Sequence, residues 1–97
     1  MKYNFKSFDN HIILIDKKNS YLIDTGSPNT ISNLSEINLF NSTYKTIKAF
    51  QGLTIEDLSE SLGIKIDAVI GGDILKNHLF NINFKNKSFS ILEEKPK

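Results

Sequence analysis

Apolar residues recur along the chain in short alternating or continuous groups, which predict a series of strands. "KYNFKSF" (residues 2–8) alternates polar and aromatic residues and predicts a first strand. "HIILID" and "YLID" flank the polar cluster "KKNS", so residues 11–24 predict a β-hairpin. "TYKTIKAF" (43–50) predicts another strand. Residues 28–42 are rich in turn formers and have no clean period, which predicts a loop with room for one short strand.

A different pattern, "LTIEDLSESLG", predicts a helix over residues 54–63. Thr54 is a suitable N-cap, with Asp57 three residues further on, and Gly63 is typical of a helix C-terminus. The leucines of this segment fall near one helical face, so we expect that face to pack on the core.

The last third of the chain predicts a strand, a short helix and a closing hairpin. "IKIDAVIGG" predicts a strand that ends at a glycine pair, and "DILKNH" predicts one or two helical turns with Asp73 as N-cap. "LFNINF", the turn "KNK" and "SFSIL" predict the hairpin. The sequence therefore predicts a mainly β domain, with one helix before the glycine pair and one short helix after it.

Length and composition predict one small domain. The chain has 97 residues, of which 39% are apolar, so we expect a single core over residues 1–92. The charged segment "EEKPK" (93–97) is expected to fray. Because a domain of this size buries a modest fraction of its surface, association with a second copy is a plausible source of stability.

Charge and cysteine content exclude several classes of function. Lysines and acids are interleaved with a formal net charge of +1, so we expect no nucleic-acid partner and no membrane surface. The absence of cysteine excludes disulfides and thiolate metal sites.

The N-terminal residues lack the apolar stretch of a secretory signal, and the run "IILI" is too short to cross a bilayer. We predict a soluble, cytoplasmic protein.

The stretch "YLIDTGSPNT" carries the strongest chemical signal, because it drives Asp24 to the end of an apolar strand. Burying a carboxylate without a partner is costly. The simplest interpretation is a turn residue whose side chain caps the backbone that follows. The functional interpretation is a carboxylate held for acid–base work, where two carboxylates that share one proton are effective in peptide hydrolysis.

"DTGS" after an apolar strand, with Thr30 three residues beyond it, resembles the active-site loop of retropepsin-like aspartic proteases. "IDAVIGGDIL" (66–75) resembles the second signature of that family, and "LFNINFKNKSFSIL" resembles its closing hairpin. The resemblance covers most of residues 11–92. It implies a mainly β fold of the retropepsin type, a small closed β-barrel.

The resemblance also implies a half-enzyme, in which two identical chains each contribute one aspartate on a two-fold axis. Asp24 would activate water and protonate the leaving amine, and Thr25 would form hydrogen bonds across the axis. Gly26 would permit the tight turn, and Ser27 would donate to the outer oxygen of Asp24. The implied partners are a second copy and a peptide or protein substrate, with no cofactor and no metal.

One part of the family pattern is missing, which leaves a second hypothesis open. Family members cover the substrate with a glycine-rich hairpin, the flap, but Gly52 is the only glycine between Gly26 and Gly63. We therefore expect no long flap hairpin. A lid excludes water and contacts the substrate, so the alternative is an inactive dimerisation or peptide-binding module of the same fold. A third hypothesis, an actin-like ATPase, would need two much larger halves.

Simple structural roles are expected for the other candidates. Asp73 is predicted to cap a helix and Asp67 to face solvent. His11 and His78 have no metal-ligand spacing and are expected at the surface or at strand ends. The remaining aromatic candidates are expected in the core or on sheet faces: Phe5, Phe8, Phe80, Phe84 and Phe89.

Overall fold

Short strands joined by turns build most of the chain. The computed structural model of the protein describes residues 2–8 and 10–92, so the predicted fraying of residues 93–97 lies outside the described residues. The strands are β1 (Lys2–Phe8), β2 (His11–Asp16), β3 (Asn19–Ile23), β4 (Ile31–Ser32), β5 (Glu36–Leu39), β6 (Ser42–Lys45), β7 (Ala49–Phe50), β8 (Leu53–Thr54), β9 (Ala68–Ile70), β10 (Leu79–Asn83) and β11 (Ser88–Leu92). The helices are α1 (Ile55–Leu62) and α2 (Gly72–Leu75). With 51% strand and 13% helix, the predicted mainly β class is confirmed.

Seven strands form one sheet in the order β10-β11-β1-β2-β3-β9-β4. Its pairs are antiparallel except β3 and β9, which run parallel with Ile23 beside Ile70. Because the two strands end at the same edge, residues 24–30 (the Asp24 loop) and residues 70–72 (the glycine turn) lie side by side. Among the described residues no pairing joins β10 to β4, so the closed barrel is not confirmed.

Both faces of the central strands are buried. In β2 and β3, Leu14 and Tyr21 belong to the larger core cluster, whereas Ile13 and Leu22 belong to a smaller cluster. Side chains alternate between the faces of a strand, so apolar runs such as "IILI" require cover on both sides. Since a fully buried Leu or Ile stabilises a fold by about 1.5–3 kcal/mol, this double burial is a main source of stability.

Helix α1 covers the smaller cluster and confirms the helix that the sequence predicts. The Thr54 side chain accepts from the Asp57 N–H, and the Asp57 carboxylate accepts from the Thr54 N–H, which completes a capping box. Gly63 ends the helix in the left-handed conformation, with φ 79°. Two hairpins lie between the Asp24 loop and α1: β5–β6, with four residues in each strand, and β7–β8, with two.

Residues 28–50 differ from the sequence prediction. The segment predicted as a loop contains β4 and β5, and the strand predicted over residues 43–50 is divided between β6 and β7. Phe40 and Asn41 form the turn between β5 and β6, and both have positive φ, 56° and 62°. Phe40 occupies this unfavourable conformation because its ring is buried in the larger cluster, stacked on Phe89. Tertiary packing therefore determines a turn that the local sequence does not signal.

Candidate functional site

Asp24 directly follows β3 and presents an exposed carboxylate. Its N–H donates to the Ile70 carbonyl at 3.0 Å, which continues the β3–β9 pairing into the loop. Its Oδ1 accepts from the Gly26 N–H at 3.0 Å, and its carbonyl accepts from the Ser27 N–H at 3.1 Å. Oδ1 therefore caps the backbone that follows Asp24, as the simplest interpretation of the sequence predicts. Within the described residues Oδ2 has no hydrogen bond, so it is free to act on another molecule.

Thr30 joins the Asp24 loop to the glycine turn and to α2. Its side chain is 1% exposed, and its Oγ1 donates to Asp73 Oδ1 at 2.7 Å while accepting from the Gly71 N–H at 3.0 Å. The Thr30 N–H donates to Asp73 Oδ2 at 3.1 Å. The Gly72 N–H donates to the Ser27 carbonyl at 2.7 Å. These bonds hold the Asp24 loop at both ends, which fixes the position of the carboxylate.

Gly71 lies where the Asp24 loop passes closest to the glycine turn. A Cβ at this position would lie 2.5 Å from the Asn29 carbonyl oxygen and 2.6 Å from that of Ser27. Its φ is −99°, which any residue adopts, so glycine is needed here for space and not for conformation. The absence of a side chain at Gly71 therefore allows the glycine turn to lie against the Asp24 loop.

Two acidic residues differ from their predicted roles. The N-cap of α2 is Gly71, and Asp73 lies inside the helix with its carboxylate bonded to Thr30. Asp67 is only 26% exposed and accepts from the Ser20 N–H at 2.8 Å, so the prediction that it faces solvent is wrong. Each carboxylate accepts a hydrogen bond from a residue more than forty positions away in the sequence. Periodicity along the chain does not reveal contacts of this kind.

Ser27 and Thr25 are not bonded to the Asp24 side chain. The Ser27 hydroxyl donates to the Asn29 carbonyl at 2.8 Å, so the expected bond to Asp24 is wrong within this chain. Thr25 is exposed, and its hydroxyl forms no hydrogen bond inside the described part of the chain. Gly26 leaves ordinary contact distance to the carboxylate, since a Cβ there would lie 3.4 Å from Asp24 Oδ1.

A cavity of about 190 Å³ opens beside Asp24. Its rim contains Asp24, Gly26, Ser27 and Pro28. Its walls are apolar and come from β3, β4, β9, the β7–β8 hairpin and α1: Leu22, Ile31, Phe50, Leu53, Leu58 and Val69. Sequence reasoning does not assign the hairpin residues to the site, although the leucine face of α1 indicates that this segment packs on the core. The β7–β8 hairpin and α1 therefore form one wall of the cavity.

The histidines and phenylalanines supply no second site. His11 is exposed at the start of β2, as expected, but His78 is half-buried, 5.1 Å from the Phe40 ring and bonded to the Tyr44 hydroxyl. His78 therefore lies at a strand end, directly before β10, and its ring packs against Phe40. No group of three potential metal ligands exists among the described residues. Of the five phenylalanines named as candidates, Phe8 and Phe84 are exposed, and Phe5, Phe80 and Phe89 are buried or half-buried.

A larger cavity of about 470 Å³ lies at the opposite end of β3, away from Asp24. Asn19, Tyr21 and Asp67 line it, together with residues of α1. Burial raises the pKa of the Tyr21 phenol, and the charges of Asp16 and Asp67 raise it further. The phenol therefore stays protonated and neutral through the neutral range.

Comparison of the chain with protein-family models, curated proteins and solved structures finds no significant match. Among the described residues, no helix is both long enough and apolar enough to cross a membrane. The candidate site is therefore defined by the chain's own residues: an exposed carboxylate, a loop bonded to a glycine turn, and an apolar cavity beside it.

Proposed function

We propose that the chain is an aspartic endopeptidase of the retropepsin-like type that acts as a homodimer. The observation that carries this proposal is the exposed Asp24 carboxylate, held at the ends of the parallel strands β3 and β9 beside an apolar cavity. The retropepsin-type barrel is part of the same proposal. It is supported by the chain order of Asp24 loop, β9, glycine turn, α2 and closing hairpin.

Two copies are needed because, within the described residues, the candidate site of one chain contains one suitable carboxylate. Asp73 and Asp67 are engaged by Thr30 and Ser20, whereas Asp24 keeps one oxygen free of bonds within the described chain. A two-fold axis beside Asp24 would bring two such carboxylates together. The exposed Thr25 hydroxyl next to it is available to bond across that axis.

In the proposed reaction the two carboxylates hold one proton. The ionised Asp24 removes a proton from water, whose oxygen attacks the peptide carbonyl carbon, while the protonated Asp24 of the second copy donates its proton to the carbonyl oxygen. The tetrahedral intermediate then releases its C–N electron pair to nitrogen. That nitrogen takes the proton gained from water, and one hydroxyl proton returns to the other carboxylate, which restores the starting state.

The cavity beside Asp24 would receive an apolar side chain next to the scissile bond. Leu53 is 49% exposed at its wall and would be covered by such a side chain. Burial of an apolar side chain gives about 1.5–3 kcal/mol, enough to select among peptides. We therefore expect substrates with a large apolar residue at this position.

The alternative is a non-catalytic dimerisation or peptide-binding module of the same fold. The observation that favours it is the size of the β7–β8 hairpin, which has two residues in each strand. A hairpin this short supplies few backbone groups to hold a peptide over Asp24 or to exclude water.

A cleavage assay on a mixed peptide library across pH tests the proposed function. Wild type should cut, with a rate that rises as the pair loses its first proton and falls as it loses its second. Asp24→Asn should reduce cleavage by at least about 100-fold while the thermal melt stays cooperative. Glu60→Gln, an exposed change on α1 that also removes one negative charge, should leave the rate unchanged.

Two results would reject the proposal or its site. A wild type that cuts nothing at any pH would favour the non-catalytic module. An Asp24→Asn variant that cuts as well as wild type would show that Asp24 has been assigned wrongly.

A further inference from the structure

The two edges of the main sheet differ in how they are covered. At one edge, β4 is bonded to the chain around Ile47: the Ser32 N–H donates to the Ile47 carbonyl at 2.9 Å, and the Ile47 N–H donates to the Thr30 carbonyl at 3.1 Å. At the other edge, β10 has β11 as its only neighbour among the described strands. Within the described residues, the outward N–H and C=O groups of β10 thus have no strand partner and can pair with another strand.

The residues of β10 lack the devices that normally block an exposed edge. Natural edge strands carry lysine, proline, bulges or inward charges. The segment "LFNINF" (79–84) has no charge, no proline and no glycine, and β10 pairs with β11 over its whole length without a bulge. Apolar side chains stand exposed around it: Leu79 is 62% exposed, its cross-strand partner Leu92 is 46% exposed, and Phe84 is 59% exposed.

We propose that β10 pairs with β10 of a second copy, antiparallel and centred on Asn81. Asn81 is the midpoint of the strand, with Phe80 and Ile82 on either side. In this register Phe80 of each copy lies opposite Ile82 of the other, on the face that packs on the core. A shift of one residue in either direction would set Phe80 opposite an asparagine, whereas the proposed register sets only the exposed Leu79 opposite one, so the shift is disfavoured.

A second copy suits this edge better than an unrelated peptide because the strand is nearly symmetric about Asn81. A two-fold contact uses the same surface on both chains and occupies both open edges at once, so this contact by itself joins only two chains. The contact shares no residue with the Asp24 loop and does not depend on the proposed hydrolysis. It would persist in a chain that cuts nothing.

Sedimentation of the intact chain from low to high micromolar concentration tests the contact. Wild type should associate, and Asn81→Lys should weaken the β10 contact by at least about tenfold in dissociation constant, because two like charges would meet on its axis, while the proposed contact at Asp24 would remain. Asn4→Lys is the matched control, since Asn4 is also exposed but lies in β1, an interior strand. It should sediment as wild type, and Asp24→Asn should keep this contact.

Single cysteines give a second, independent readout, because the chain has none of its own. Asn81→Cys should form a covalent dimer on treatment with a short bismaleimide, whereas Asn4→Cys should stay monomeric under denaturing electrophoresis. A strictly monomeric wild type, equal effects of the two lysine variants, or equal cross-linking of the two cysteine variants would overturn the proposal. If Asn81→Lys fails to fold by circular dichroism, the cysteine pair decides.

Discussion

At the scale of single residues, the Asp24 site depends on a glycine that takes no part in chemistry. The Asp24 loop passes so close to Gly71 that a methyl group would strike two backbone carbonyl oxygens. A methyl group on Gly72, the next residue, would lie 3.6 Å from its nearest neighbours, which is ordinary contact. Adjacent glycines thus have very different tolerance for a side chain.

The pair Gly71→Ala and Gly72→Ala tests this difference. Gly71→Ala should destabilise the fold by about 1–3 kcal/mol, because backbone atoms of the Asp24 loop must move to admit the methyl group. Gly72→Ala should change the free energy of unfolding by less than about 1 kcal/mol. Urea denaturation of both variants measures the difference, and equal midpoints would contradict the close approach.

Sequence reasoning places Asp24 in the loop but misses the bonds that hold the loop. "DTG" after an apolar strand is a local signal, and the exposed carboxylate lies where that signal indicates. The contact of Thr30 with Asp73 spans 43 residues and depends on the parallel pairing of β3 with β9. Without an observed fold, Asp73 looks like a helix cap, because nothing in its neighbourhood indicates a distant threonine.

At the scale of elements, prediction succeeds where signals are local. α1 has both partners of its capping box and its terminal glycine within ten residues, so its bounds follow from the sequence. The turn at Phe40 and Asn41 has neither glycine nor a usual turn pair, and burial of the Phe40 ring determines it. The β5–β6 hairpin therefore escapes prediction for a tertiary reason.

The capping box of α1 gives a prediction at this scale. Thr54→Ala should lower the free energy of unfolding by about 1 kcal/mol, because it leaves the Asp57 N–H without its acceptor. Ser61→Ala, an exposed change inside the same helix, should be neutral or slightly stabilising. Thermal or urea unfolding of both variants measures this, and equal stability would show that the cap contributes nothing.

At the scale of the whole molecule, two surfaces are suited to a second copy. One is the Asp24 loop, where an exposed carboxylate oxygen and the threonine hydroxyl lack partners within the described chain. The other is the open edge at β10. A chain of 97 residues has a small core, so the stability gained from association matters more than it would in a larger domain.

The central claim is that hydrolysis requires one Asp24 from each of two chains. Wild type and Asp24→Asn, unfolded together and refolded at equal amounts, should form mixed dimers in statistical proportion. Because only dimers with two intact copies would cut, activity per total chain should fall to about one quarter of that of wild type alone. A fall to about one half would mean that each chain acts independently, and no cleavage by wild type itself would contradict the account altogether.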